Sequence, residues 1–121
     1  MLSEADLQKA CVAWFNRDHS NLIIYKVDNE GKREGYKGKE AVRLGILAGI
    51  PDLHIPEPVG DCPGLYVELK KPFQKIKLTP SQEVMIPRLR ERGFVVEVCN
   101  HINDFKKIVN EYLGDNHGQK Q

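Results

Sequence analysis

From Leu65 to Cys99 the chain reads strand, capped helix, strand. Leu65, Val67 and Leu69 alternate with Tyr66, Glu68 and Lys70, the period of a strand with one apolar face. Thr79-Pro80-Ser81-Gln82 then carries the marks of a helix start: a threonine cap, proline at the first helical position and glutamine at the third. Pro87 falls inside that helix, where it is expected to kink it, and Gly93 closes it. Phe94–Cys99 is a second β-rich run. A helix that joins two neighbouring strands of one sheet is a crossover, and the strands it joins run parallel. That rules out an all-helical fold and a simple antiparallel meander. It points to an α/β domain, a mixed β-sheet flanked by helices.

The remaining elements fit around this unit. Leu7, Ala10, Cys11, Trp14 and Phe15 form one apolar stripe, preceded by Ser3 with Asp6 three residues on, so a capped helix is expected over about 4–17. Leu22–Val27 reads as a short strand. Asp28–Lys39, charged and glycine-containing, reads as an exposed loop of a length that in a small domain is usually functional or mobile. Glu40–Ala48 reads as a short helix stopped by Gly49, and Asp52–Ile55 as a strand pairing antiparallel with Leu65–Lys70 through the turn at 56–63. Ile102, Phe105, Ile108, Val109, Tyr112 and Leu113 mark a last amphipathic helix. The expected order is αβαββαβα, in one domain over residues 1–113 with a frayed tail at 114–121.

Composition narrows the function classes. A chain of 121 residues buries about two-thirds of its unfolded surface and needs no disulfide or structural metal to fold. Cys11, Cys62 and Cys99 are odd in number and too far apart for a disulfide framework or a zinc motif. The first residues are acidic, without the basic and apolar regions of a signal peptide, and no apolar run nears the roughly 18 residues of a membrane span, so a cytoplasmic protein is expected. Net charge is +1, which excludes nucleic-acid binding by bulk charge but not by a local basic patch.

The chemistry concentrates in Gly49-Ile50-Pro51-Asp52-Leu53 and Tyr66-Val67-Glu68-Leu69-Lys70. Glu68 and Lys70 share a strand face, and Asp52 opens the strand expected beside it. Two carboxylates on adjacent strands suit a hard divalent cation such as Mg²⁺. Such an ion acidifies water and neutralises phosphate charge, and a lysine on the same face stabilises the negative charge that develops. Glu-x-Lys on a half-exposed strand is by itself an ordinary solvated edge, and Pro-Asp after glycine an ordinary turn. The ordered combination is what points to phosphodiester cleavage. His19, His54, His101 and His117 are scattered. His54 shares a face with Asp52 if the strand is regular and reads as a core or rim histidine.

Gly49-Ile50-Pro51-Asp52-Leu53, Glu68-Leu69-Lys70 and Leu78-Thr79-Pro80-Ser81-Gln82, in that order, resemble the PD-(D/E)xK nucleases. The chain is most similar among them to the VRR-NUC domain, the virus-type replication-repair nuclease, over about residues 2–113. Asn29-Glu30, Arg33, Arg43 and Gly45 fit the same pattern. The resemblance implies a restriction-endonuclease-like core, with Asp52 and Glu68 as metal ligands, the Leu69 carbonyl as a further ligand and Lys70 as the catalytic lysine. Gln82 matches a glutamine that faces the active site in relatives, while at the third position of a Thr79-capped helix it also suits a capping partner. Glu4 matches an acidic position that supplies a further metal contact in some relatives, while a carboxylate there also favours the helix N-terminus. Glu30 matches a similar position, against an ordinary loop surface.

Residues 63–93 hold seven lysines and arginines against three glutamates. Lys71, Lys75 and Lys77 follow the catalytic strand directly and suit contact with the DNA backbone, as does Arg33. Nothing reads as a base-recognition element. The expectation is therefore a Mg²⁺- or Mn²⁺-dependent, structure-selective endonuclease. The resemblance implies a homodimer acting on branched DNA such as four-way (Holliday) junctions. The alternatives are cleavage of flap, nicked or single-stranded DNA on the same site, or a non-catalytic DNA-binding subunit of the same fold.

Overall fold

Ser3 starts the first helix by exchanging hydrogen bonds with Asp6: its hydroxyl accepts from the Asp6 amide at 3.0 Å, and the Asp6 carboxylate accepts from the Ser3 amide at 3.1 Å. The computed structural model describes residues 2–28 and 38–119, the last five of them as backbone only. Helix α1 (Glu4–Asp18) buries Leu7, Cys11, Trp14 and Phe15, while Ala10 of the expected stripe is exposed. There follow β1 (Tyr25–Lys26), α2 (Gly38–Arg43), β2 (Leu53–Ile55), β3 (Leu65–Leu69), α3 (Pro80–Glu91), β4 (Val95–Cys99) and α4 (Ile102–Gln119). This is the αβαββαβα order that the sequence implies.

The sheet runs β1-β2-β3-β4, antiparallel at the first two junctions and parallel at the third. The crossover through α3 is thus realised, and β2 and β3 pair in the register Leu53↔Val67. One face carries Leu53, Ile55, Leu65, Val67 and Leu69, all fully buried beneath α1 and α4. Trp14 of α1 meets Phe105 of α4 edge to face, with centroids 5.9 Å apart. The opposite face carries His54, Tyr66 and Glu68. There α3 packs against β4, and Met85, Ile86 and Val96 are buried apart from the main core.

Several ends shift by one residue, and the larger differences from expectation lie in β1, α2 and α4. Only Tyr25 and Lys26 of the expected strand Leu22–Val27 join the sheet; Leu22 and Ile24 pack on the core instead. The expected helix Glu40–Ala48 begins earlier, at Gly38, and stops at Arg43. Gly45 (φ +89°), not Gly49, ends it: the Gly45 amide donates to the Val42 carbonyl and the Ile46 amide to that of Ala41, the paired bonds of a Schellman cap. Pro87 sits inside α3, which runs on to Glu91 before Gly93 (φ +95°). In α4 a non-helical Gly114 (φ 79°, ψ 150°) separates the packed part, ending at Leu113, from the backbone beyond. Most of the expected loop Asp28–Lys39, with Glu30 and Arg33, lies outside the described residues.

Gly49 serves another purpose. At φ +90° it lies so close to α3 that a Cβ there would sit 2.4 Å from the Ser81 carbonyl oxygen. The loop entering Pro51-Asp52 is thereby pressed against the first turn of the helix that carries Gln82. Gly45 has almost the same φ, and its Cβ would meet nothing within 4 Å. Gly45→Ala is therefore expected to cost about 1–2 kcal/mol, the price of a left-handed alanine. Gly49→Ala adds a backbone clash and is expected to cost about 3 kcal/mol or more. Urea unfolding of the two variants checks the difference.

Candidate active site

The antiparallel register of β2 and β3, continued one residue beyond the Leu53↔Val67 pair, brings Asp52 opposite Glu68. Asp52 stands just outside the ladder, and its Oδ2 accepts a hydrogen bond from the Leu69 amide at 2.9 Å. Its own carbonyl accepts from the Val27 amide, so the residue is tied to both neighbouring strands. Glu4 arrives from the first turn of α1. Glu4, Asp52 and Glu68 each offer an oxygen, and these oxygens lie within 4.8 Å of one another.

Glu68 is the unusual member. It is 3% exposed on a central strand. Its Oε2 accepts from Gln82 Nε2 at 2.7 Å and lies 3.7 Å from Lys70 Nζ. Its Oε1 is buried with no partner among the described residues. Burial, then the Asp52 charge, push its carboxyl up from the usual 4.5 to about 7, against the opposing pull of Lys70 and the Gln82 bond; Glu4 pushes the same way as Asp52. An orphaned, buried carboxylate oxygen facing two more carboxylates is a hard, anionic, all-oxygen donor set. It fits a divalent cation, whose charge would remove the repulsion that raises the carboxyl.

Lys70 follows β3 and donates from Nζ to Gln82 Oε1 at 2.7 Å. The same oxygen accepts from the Thr79 amide at 2.9 Å, while the Gln82 amide donates to the Thr79 hydroxyl at 3.2 Å. Gln82 makes both sets of contacts at once: its oxygen closes the capping box of α3 and receives the lysine, and its nitrogen donates to Glu68. The crossover helix thus grips Glu68 of β3 and Lys70 just beyond it through one side-chain amide.

Leu69 sends its side chain into the core and its amide to Asp52. Lys71, Lys75 and Lys77 are exposed. His54 shares the sheet face of Glu68 but is held as a rim residue. It stacks on Tyr66 with centroids 4.2 Å apart, hydrogen-bonds the Tyr25 hydroxyl through Nδ1 at 2.7 Å and meets the Phe94 ring edge. Burial lowers its pKa. This four-ring cluster escapes the sequence because its members come from four separate segments. Only Tyr66, two residues before Glu68, carries a local sign of it. Asn100, which ties the basic loop to the end of β4, is missed for the same reason.

The raised Glu68 carboxyl has a consequence for stability. The folded state binds its proton more tightly than the unfolded chain does. Below about pH 4.5 the group is protonated in both states and carries no ionisation penalty; as pH rises through 4.5 to about 7 stability is lost, and above 7 the loss is complete. Glu68→Gln removes that ionisation. In EDTA at about pH 8 it is expected to exceed wild type in stability by on the order of 2 kcal/mol, with the gap closing near pH 5. Thermal melts across that range check the sign.

A family model described as the VRR-NUC domain matches residues 2–101, a span that includes Glu4, Asp52, Glu68, Lys70 and Gln82. A solved VRR_NUC domain protein is similar in fold, with a TM-score of 0.68 at 24% identity over 93% of this chain and 88% of that one. A second solved structure, a VRR_NUC domain, gives 0.60 at 25% identity over 90% of this chain and 96% of the other. No curated protein matches significantly.

Proposed function

The chain belongs to the VRR-NUC domain family, and from that membership we propose a divalent-metal-dependent DNA endonuclease selective for branched structures. The family's nucleases are of the PD-(D/E)xK type, on a restriction-endonuclease-like fold that the mixed four-stranded sheet here matches. The observation that carries the reading is the meeting of Glu4, Asp52 and Glu68 beside Lys70, with Glu68 Oε1 buried and without a partner among the described residues.

Asp52 and Glu68 would hold Mg²⁺ or Mn²⁺, with Glu4 and the Leu69 carbonyl as further oxygens. When bound, the ion supplies charge neutralisation at the scissile phosphate and acidification of water. Lys70, anchored by Gln82 rather than free to swing, is set to stabilise negative charge developing on the phosphate. Asp52 is oriented by the Leu69 amide and Glu68 by the Gln82 amide, so neither carboxylate must reorganise when substrate arrives. The exposed Lys71, Lys75 and Lys77, with Arg33, take the flanking DNA backbone, contacts that position without reading sequence.

Residues 1–113 would act as one nuclease domain, with 114–121 as a tail, in the cytoplasm. No helix among the described residues is long and apolar enough to cross a membrane. One domain of this size offers little surface to grip a four-way junction, and a two-fold dimer would present two sites to it. Light scattering at tens of micromolar is expected to give twice the chain mass of 13.8 kDa.

Cleavage tests the chemistry. With Mn²⁺, wild type is expected to cut branched DNA, tested on a panel of four-way junction, flap, nicked and single-stranded substrates. Asp52→Asn, Glu68→Gln and Lys70→Ala are each expected to lose at least a hundredfold in rate while remaining folded. Metal at ten times its Kd is expected to stabilise wild type by about 1.4 kcal/mol, several degrees in Tm. Both carboxylate variants are expected to lose most of that shift. A folded variant that cuts like wild type, or an equal metal shift in all three proteins, would remove the site.

A further inference from the structure

Three residues past Lys70 the backbone adopts a conformation that phenylalanine rarely takes. Phe73 has φ +66°, the one positive φ outside glycine among the described residues. Pro72 and Phe73 lie in a turn. Proline at the first central position and positive φ at the second is the type II pattern, whose second place ordinarily goes to glycine or asparagine. The strain is not repaid by packing, since Phe73 is 73% exposed. The turn is nonetheless pinned. Asn100 Nδ2 donates to the carbonyls of Lys71, at 3.3 Å, and Gln74, at 2.8 Å, the two ends of the turn, and Pro72 is buried beneath it.

The surroundings say what such a ring would meet. Lys71, Lys75 and Lys77 are exposed around it, and no acidic residue occurs between Glu68 and Glu83. A rigid aromatic apex among cations suits a ligand with a polyanionic backbone and flat apolar faces. In continuous duplex those faces are covered by neighbouring base pairs. They are open only where the stack is interrupted, at a branch, flap, nick or frayed end.

We propose that Phe73 is a stacking wedge that caps the exposed base at such an interruption, with Lys71, Lys75 and Lys77 on the adjoining phosphates, and so selects interrupted DNA for the Asp52–Glu68 site. The inference rests on the nuclease reading above and deepens it by naming the residue that confers structure selectivity. The Asn100 bonds and the buried Pro72 hold the turn in place, and with it the ring at the surface.

The test places 2-aminopurine as the first unpaired base of a flap and follows fluorescence and affinity in EDTA, where no cutting occurs, beside a continuous duplex of the same sequence. Wild type is expected to quench the probe and to prefer the flap. Phe73→Ala is expected to lose the quenching and about tenfold in flap affinity, with duplex affinity unchanged. Phe73→Tyr is expected to retain both properties and Phe73→Leu neither. Phe73→Gly, which relaxes the positive φ, is expected to melt no lower than wild type while losing the preference. Equal weakening on flap and duplex, or a Phe73→Gly variant that melts well below wild type, would make the residue structural and overturn the proposal. An alanine variant that still prefers the flap would overturn it too; with Mn²⁺-dependent cutting intact, the nuclease reading then survives. A wild-type protein that neither binds nor cuts any DNA overturns both.

Discussion

Glu68 is a carboxylate with almost no exposure, placed on a central strand and facing two other acids. Ionising it there works against desolvation and against like charge, and the neighbouring structure is arranged around that burden. One oxygen is held by Gln82 and Lys70; the other has no partner among the described residues. A domain of this size has few kcal/mol to spare, so a feature of this kind persists where it serves a function.

Gln82 connects that burden to the architecture. It sits at the third position of α3 because Thr79 and Pro80 start the helix there, and its amide is oriented by the capping box. The helix is where it is because the parallel β3–β4 pair requires a crossover, and because Gly49 lets the loop before Asp52 lie directly on Ser81. Displacing the first turn of α3 would therefore disturb Glu68, Lys70 and the approach to Asp52 together. The opposite face of the sheet is plain hydrocarbon packing against α1 and α4 and supplies the rigidity.

The basic loop contrasts with the site it adjoins. At the site Glu68 and Gln82 are polar side chains buried in the fold; around Phe73 an apolar ring is exposed and its backbone strained. Each departs from ordinary folding preferences, and they lie within a few residues on one continuous segment. Local rules are broken there in opposite senses, side by side, the pattern that the proposed function leads one to expect.

Much was legible in the sequence because much of it is local. Strand alternation, capping boxes and the crossover depend on residues a few positions apart, which is why α1, β3, α3, the parallel pair and the order of the elements among the described residues could be read from the chain. The motif residues were legible as a set for the same reason: Glu68 and Lys70 share a strand face whatever surrounds them. Packing decided the rest. The length of β1 went with the packing of Leu22 and Ile24 on the core, and the end of α2 with which of two glycines closed a Schellman cap. The dual role of Gln82, the arrival of Glu4 from α1, the capture of His54 by three rings and the pinning of Lys71 and Gln74 by Asn100 all join segments distant in the chain. So does the burial of Glu68. A sequence states that a carboxylate is present and which way it points from its strand; the dielectric around it and the charges that meet it are properties of everything packed against that face, and only the tertiary structure sets them.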